Sequence, residues 1–271
     1  MSLLINSSTS SHYLKQNQVN LQKSLNRLSS GKRITGGADD PGGLAVAMKL
    51  GASVKRLQGA MNNVANAISF LEVQDGLLQT AGQVITRISE LKGLHGDDPL
   101  KSDPNREAYD NELVDLKSQL TDMTSMTFNG EALFNADADT VEDDAISINY
   151  DEDKDADLTL NLCKFNTAIT ALLDATVTSF NDLEVDTIDT ALENVAGLRA
   201  SNGSGQNRLN FAAESLSLQK INLTAALGRI ENVDLAGETA ELAKNSILTQ
   251  SSATMVSRAN GMNDIAMVLL Q

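Results

Sequence analysis

LKQNQVNLQKSLNRL, residues 14–28, sets Leu14, Leu21 and Leu28 seven residues apart, with polar side chains over most of the positions between them. The spacing returns in LTQSSATMVSRANGMNDIAMVL, residues 248–269, as Leu248, Met255, Met262 and Leu269. A seven-residue apolar repeat draws a narrow stripe along a helix, and a short helix with one stripe is marginal alone in water. Each end of the chain is therefore expected to be a helix completed by something else: the opposite end, a neighbouring copy, or both.

Composition narrows what lies between the ends. The chain has 271 residues, 41% apolar but only 3% aromatic, with no Trp. An aliphatic core of Ala, Leu, Ile, Val and Met suits helix ridges better than a sandwich or barrel. Pro41, Pro99 and Pro104 are its three prolines, so long helices are free to run from Asn105 onward. The single Cys163 excludes an intramolecular disulfide and reads as a small buried residue. No stretch approaches the roughly 20 apolar residues of a membrane span. The first residues lack a signal-peptide core, so export would proceed without cleavage of a standard signal.

The net charge of −15 is unevenly spread. Residues 1–33 carry Lys15, Lys23, Arg27, Lys32 and Arg33 and no acid; residues 96–160 carry 19 acids and four bases. An acidic middle argues against nucleic acid. The basic arm neither clusters its charges nor interleaves aromatics, so a membrane surface is not expected as a partner.

Along the chain, residues 12–30 read as a helix closed by Gly31. Residues 35–43 read as a linker, with Asp39 or Asp40 capping the next helix and Pro41 in its first turn. From Leu44 to His95 the spacing of three and four runs through Leu57, Val64, Leu71, Leu78, Ile85 and Ile88, a length that points to a rod or bundle. A polar turn leads to a returning helix over about 106–123. Ile146, Ile148 and Tyr150, then Leu158, Leu160 and Leu162, alternate with polar residues and predict a hairpin. Helical spacing resumes at 168–173. A heptad row then carries Val195, Leu209, Leu216, Leu223 and Ile230, broken at Asn202. Gly203-Ser204-Gly205 predicts a kink or short break there. A last helix covers about 240–271. The expected fold is mainly α: a long antiparallel helical bundle or coiled coil from both chain ends, with a small β-hairpin region in the middle.

Signals for chemistry are poor. His12 and His95 stand apart, with no metal-ligand spacing, no phosphate loop and no nucleophile elbow. Asp151, Asp153, Asp155 and Asp157 begin like a calcium loop. Ala156 stands where Gly is required and Leu162 where a bidentate Glu belongs, so the cluster reads as an acidic hairpin tip. Neither cofactor, metal nor enzymatic activity is expected. The informative constellation is the pair of terminal seams: Leu14, Leu21, Leu25 and Leu28 at one end, and Leu248, Met255, Ala259, Met262 and Leu269 at the other. Large and small residues in neighbouring rows let helices approach closely.

Several segments resemble the signatures of bacterial flagellin. At the N-terminal side they are residues 25–34 (LNRLSSGKRI) and 38–45 (ADDPGGLA), with Phe128-Asn129-Gly130 ahead of the hairpin. At the C-terminal side they are Gln206-Asn207-Arg208-Leu209, Leu223-Thr224-Ala225-Ala226, residues 229–234 (RIENVD) and Ile247-Leu248-Thr249-Gln250. The resemblance implies a self-assembling subunit of the flagellar filament, a passive propeller built of many copies, secreted through the flagellar export apparatus. It implies residues 1–41 with 229–271 as a terminal coiled-coil inner-core domain. It further implies 42–130 with 191–228 as a helical rod domain, and 131–190 as the hairpin with a short variable outer segment. Implied partners are further copies, an export chaperone, and cap and junction proteins. A surface for Toll-like receptor 5 is matched at Arg87, Glu90 and Leu91, while Ser89 and Lys92 depart from it. The alternatives are the hook–filament junction protein, which shares the terminal pattern, and a flagellin with an inserted metallopeptidase.

Overall fold

The computed structural model describes residues 2–96, 102–135, 145–149, 157–161 and 163–269. In chain order its elements are helices α1 (Ser2–Ser30), α2 (Pro41–His95) and α3 (Asp103–Thr124), then strands β1 (Thr127–Phe128), β2 (Glu131–Ala132), β3 (Ala145–Asn149) and β4 (Asp157–Asn161). Helices α4 (Phe165–Leu173), α5 (Val185–Glu231) and α6 (Leu235–Leu269) follow. The mainly helical expectation is met. The chain divides into two compact units, Met1–Val54 with Ile221–Gln271, and Lys55–Lys220.

In the first unit α1 lies antiparallel on α6. Asn17 Nδ2 donates to Ser252 Oγ at 2.8 Å, and Arg27 pairs with Glu238 at 3.6 Å. Gly31 closes α1 in the left-handed region (φ +68°), the conformation glycine adopts without penalty. The chain then runs antiparallel to the start of the α5–α6 connection. Arg33 N–H donates to Glu231 O at 2.7 Å, and Val233 N–H to Gly31 O at 3.1 Å. The Arg33 guanidinium also reaches Ile230 O at 2.8 Å, satisfying a carbonyl at the end of α5.

The expected linker at 35–43 is shorter than read, because α2 takes Pro41-Gly42-Gly43 as its first turn. Asp40 is the cap: its Oδ1 accepts from Gly43 N–H at 2.8 Å and its carbonyl from Leu44 N–H at 2.9 Å. Pro41 fits the first helical position, where no N–H is needed. A Cβ on Gly43 would lie 2.8 Å from Asp40 Cγ and 2.9 Å from Ile34 Cδ1, so this glycine serves the cap and does not break the helix. Asp234 repeats the arrangement ahead of α6, accepting from Ala236 N–H at 3.1 Å, with Gly237 again third in the helix.

In the second unit α5 runs antiparallel to α2. Leu57, Val64, Leu71, Leu78 and Ile85 of α2 are buried, as are Val195, Leu209 and Leu216 of α5. No break occurs at Gly203-Ser204-Gly205: α5 is continuous through it. Buried Asn202 holds the helix there. Its Nδ2 donates to Gln74 Oε1 (2.8 Å) and Leu71 O (3.1 Å), and its Oδ1 accepts from Gln206 (3.0 Å). These bonds and the flanking packing outweigh about 1 kcal/mol per helical glycine.

α3 returns along α2, tied by Arg87 to Glu112 at 2.9 Å. Asn129 (φ 53°) and Gly130 (φ 90°) make the two-residue turn between β1 and β2, the left-handed pair a tight hairpin demands. Gln74 then donates to Leu133 O at 2.5 Å just past it. The predicted second hairpin is present, with Ile148 opposite Leu158 and Ile146 opposite Leu160. Tyr150, Asp151, Asp153, Asp155, Ala156 and Leu162 lie outside the described residues. Lys117 crosses from α3 to donate to Asp174 O and Val177 O, both at 2.7 Å, and Lys92 donates to Phe180 O at 2.6 Å. Those clamps hold the segment after α4 over the core, where Phe180 and Leu183 are buried.

Candidate assembly interface

The α1–α6 pair is joined by leucines of α1 set against a mostly small and polar stripe of α6. On α1 the residues turned inward are Leu14, Asn17, Leu21, Ser24 and Leu28, with Ser10 at one end, at spacings of four and three. On α6 they are Glu238, Leu242, Asn245, Thr249, Ser252, Val256 and Ala259, at the same spacings. Ser24 and Asn245 are the buried members at its middle. Asn17 also reaches Leu248 O at 3.4 Å. Hydrogen bonds of this kind fix register but contribute only about 1 kcal/mol each.

The larger residues of α6 sit one position off that stripe. Leu248, Met255 and Met262 are 40%, 60% and 57% exposed, and Ile247 is exposed beside them. On α1, Leu14, Leu21 and Leu28 are half-buried, while Leu25 is 44% exposed, as are Tyr13 and Val19 to a greater degree. Ala259 is half-buried on the stripe facing α1. Leu269 ends the α6 backbone; its side chain lies outside the described residues. Reading by heptads picks out the bulkiest residues. Hydropathy does not flag Thr249 and Ser252, so the inward stripe of α6 was missed. A helix such as α6 that turns mostly small and polar side chains toward its partner leaves its greasy ones for another surface.

The connection at the base of the pair is electrostatically set. Lys23 pairs with Asp39 at 2.6 Å, and Thr35 donates to the same carboxylate through both Oγ1 (2.8 Å) and N–H (3.2 Å). The Lys23 ammonium, with Thr35, holds the Asp39 carboxyl well below the usual carboxylate range. Lys32 pairs with Glu231 at 2.5 Å across the two antiparallel connections.

In the second unit, Arg87 and Glu90 are exposed and paired with each other at 3.1 Å, whereas Leu91 is fully buried. Arg87 and Glu90 therefore share a surface, and Leu91 supports it from beneath. Cys163 is buried, and burial pushes its thiol up to about 11. Among the described residues no three His, Cys, Asp or Glu side chains gather as a metal site would require, and no helix is long and apolar enough to cross a membrane.

The family signature of the bacterial flagellin N-terminal helical region matches residues 1–139, and that of the C-terminal helical region matches residues 185–270. The chain belongs to the bacterial flagellin family. Among flagellins and their kin, it is 30% identical to the flagellar filament 30.7 kDa core protein of Treponema maltophilum, over 95% of this chain and 96% of that one. It is 31% identical to the flagellin of Bacillus subtilis (strain 168), over 91% of each. A crystal structure of Bacillus cereus flagellin superposes with a TM-score of 0.48 at 23% identity, covering 61% of this chain and 94% of that one. The two matched flagellin regions bracket residues 140–184, which include β3, β4 and α4.

Proposed function

We propose that this flagellin is the structural subunit of the bacterial flagellar filament, assembling from many copies into a passive helical propeller outside the cell. One observation carries the reading: α6 exposes Leu248, Met255 and Met262 in a single row while spending its small, polar stripe on α1. Exposed Leu and Met side chains at heptad spacing have a natural occupant in a neighbouring helix pair of the same kind. The names of the T. maltophilum and B. subtilis relatives support the same reading. A protein at the hook–filament junction would share the terminal helices, but neither of those relatives is named as one.

The assembly seam in this proposal comprises Leu14, Leu21, Leu25, Leu28, Leu248, Met255, Ala259, Met262 and Leu269. Leu14, Leu21, Leu28 and Ala259 close the α1–α6 pair. Leu25, Leu248, Met255 and Met262 meet neighbours. Export through the flagellar apparatus with a chaperone, contact with cap and junction proteins, and recognition by Toll-like receptor 5 at Arg87 and Glu90 over Leu91 belong to the same proposal. Removing the last 20 residues tests its core. The shortened chain is expected to remain soluble and partly helical by circular dichroism and to form no fibres under salts that polymerise the full chain. Fibres of normal diameter would show that the Met255–Met262 row is no assembly contact.

A further inference from the structure

The chain holds few groups that a peroxide attacks. It has no Trp and a single cysteine. Cys163 is buried, and burial keeps it the unreactive thiol. That leaves the thioethers, which the fold distributes unevenly. In the second unit Met123 is buried and Met61 half-buried, while Met126, just past α3, is exposed. In the first unit Met48, Met255 and Met262 all stand in solvent, at 57% exposure or more. The side chains of Met1 and Met267 lie outside the described residues.

Met255 and Met262 differ from Met48 and Met126 in where they sit. Seven residues apart on α6, in the row with Leu248, they present both sulfurs on one face. The stripe that α6 turns toward α1 runs through Leu242, Asn245, Thr249, Ser252, Val256 and Ala259 and contains no methionine. Nor does any position of α1. Oxidation of the outer row therefore changes what a neighbour meets and leaves the intrachain stripe chemically as it was.

We propose that Met255 and Met262 are sulfoxidation sites that set the assembly competence of the free chain, with hydrogen peroxide as the oxidant. The Sδ lone pair attacks one peroxide oxygen, and an S–O bond forms as the O–O bond breaks. The departing hydroxide takes the proton of the transferred oxygen and leaves as water. The sulfur is oxidised by two electrons and the peroxide is reduced. A polar, chiral sulfoxide then stands where an apolar thioether stood, and reductases can reverse the change. Each sulfoxide oxygen must be stripped of water when a neighbour covers the row, a cost the thioether does not carry. The inference rests on the filament reading above and adds a chemical control to it.

Peroxide treatment of dilute, unassembled chain tests it, with peptide mass spectrometry before polymerisation. One added oxygen on each of Met255 and Met262 is expected, with Met123 unmodified. The treated chain should keep its helix content by circular dichroism, yet its critical concentration for polymerisation should rise about ten-fold or more. Methionine sulfoxide reductases acting on both sulfoxide epimers should restore the original value. Combining Met255→Leu with Met262→Leu keeps the row apolar, so this double variant should polymerise like the unaltered chain both before and after peroxide. Unchanged polymerisation of chains carrying both sulfoxides would overturn the proposal and leave the filament reading standing. Loss of polymerisation in the peroxide-treated double variant would place the sensitive group elsewhere and overturn it too. Failure of the untreated, unaltered chain to form fibres at any salt concentration would sink the filament reading itself, and this control with it.

Discussion

Asp39 shows how much a single side chain settles at the base of the terminal helix pair. The carboxylate takes Lys23 from α1 and both donors of Thr35. Its proton affinity is depressed in the folded chain, so the stability it contributes is present above the ordinary carboxylate range and is lost as pH falls below about 4. Asp39→Asn is therefore expected to lower thermal stability at pH 7, and the gap to the unaltered chain should shrink toward pH 3. An equal gap at both values would show that the charge is not what matters. Gly43 makes a second prediction at this scale. Replacing it by Ala sets a Cβ against Asp40 and Ile34, and should destabilise the chain by about 1–2 kcal/mol in urea unfolding, comparable to losing the cap itself. The sequence marked Asp39 or Asp40 as the cap and Pro41 as the first turn, yet read the paired glycines as linker. What decided the point was the approach of the capping carboxylate, a distance that composition does not encode. Cys163 was legible as a small buried residue, and it should resist thiol reagents at pH 8 in the folded chain while reacting readily in denaturant.

Helices carry the next level. The periodicity of three and four located α2 and α3 within a few residues and α6 within about five, because each buries a stripe and the stripe is written in its spacing; α5 begins at Val185, ahead of the Val195 that opens its heptad row. α1 is longer than the spacing alone suggested, since Leu3, Leu4 and Ile5 form one short run without helical spacing and residues 6–11 are polar. The break expected in α5 is absent for an instructive reason. Asn202 broke the apolar row in sequence, but in the fold it is the buried donor that ties α5 to Gln74 and Leu71 of α2, and through Gln74 to Leu133 beyond the first hairpin. A buried polar pair such as Asn202 with Gln74, in an otherwise apolar seam, fixes which turn faces which, since slipping by a turn leaves both unpaired. Asn202→Ala is accordingly expected to cost about 1–3 kcal/mol, the penalty for stranding buried partners, measured as a lower urea midpoint for the full chain. A change within about 0.5 kcal/mol would mean the network is not holding register.

The molecule as a whole is a chain whose two ends are completed only in part by each other. The seams at both ends were legible as seams. Which residues of α6 turn toward α1 was not, because the inward stripe mixes Leu242 and Val256 with Glu238, Asn245, Thr249, Ser252 and Ala259, and the conspicuous heptad of Leu and Met lies beside it. That division of labour is the physical content of the assembly reading. Covering a half-exposed Met contributes about 1–2 kcal/mol, so Met255→Ser is expected to raise the critical concentration for polymerisation roughly 5- to 30-fold with little change in the helix content of the monomer. The central claim, that neighbouring copies supply the burial missing from α1 and α6, is tested most directly by amide hydrogen exchange on dilute monomer and on fibres of the same chain. Slow exchange over residues 2–30 and 235–269 in fibres, with fast exchange there in the monomer, is the expected result. Equal and strong protection of both segments in dilute monomer, independent of concentration, would contradict the account.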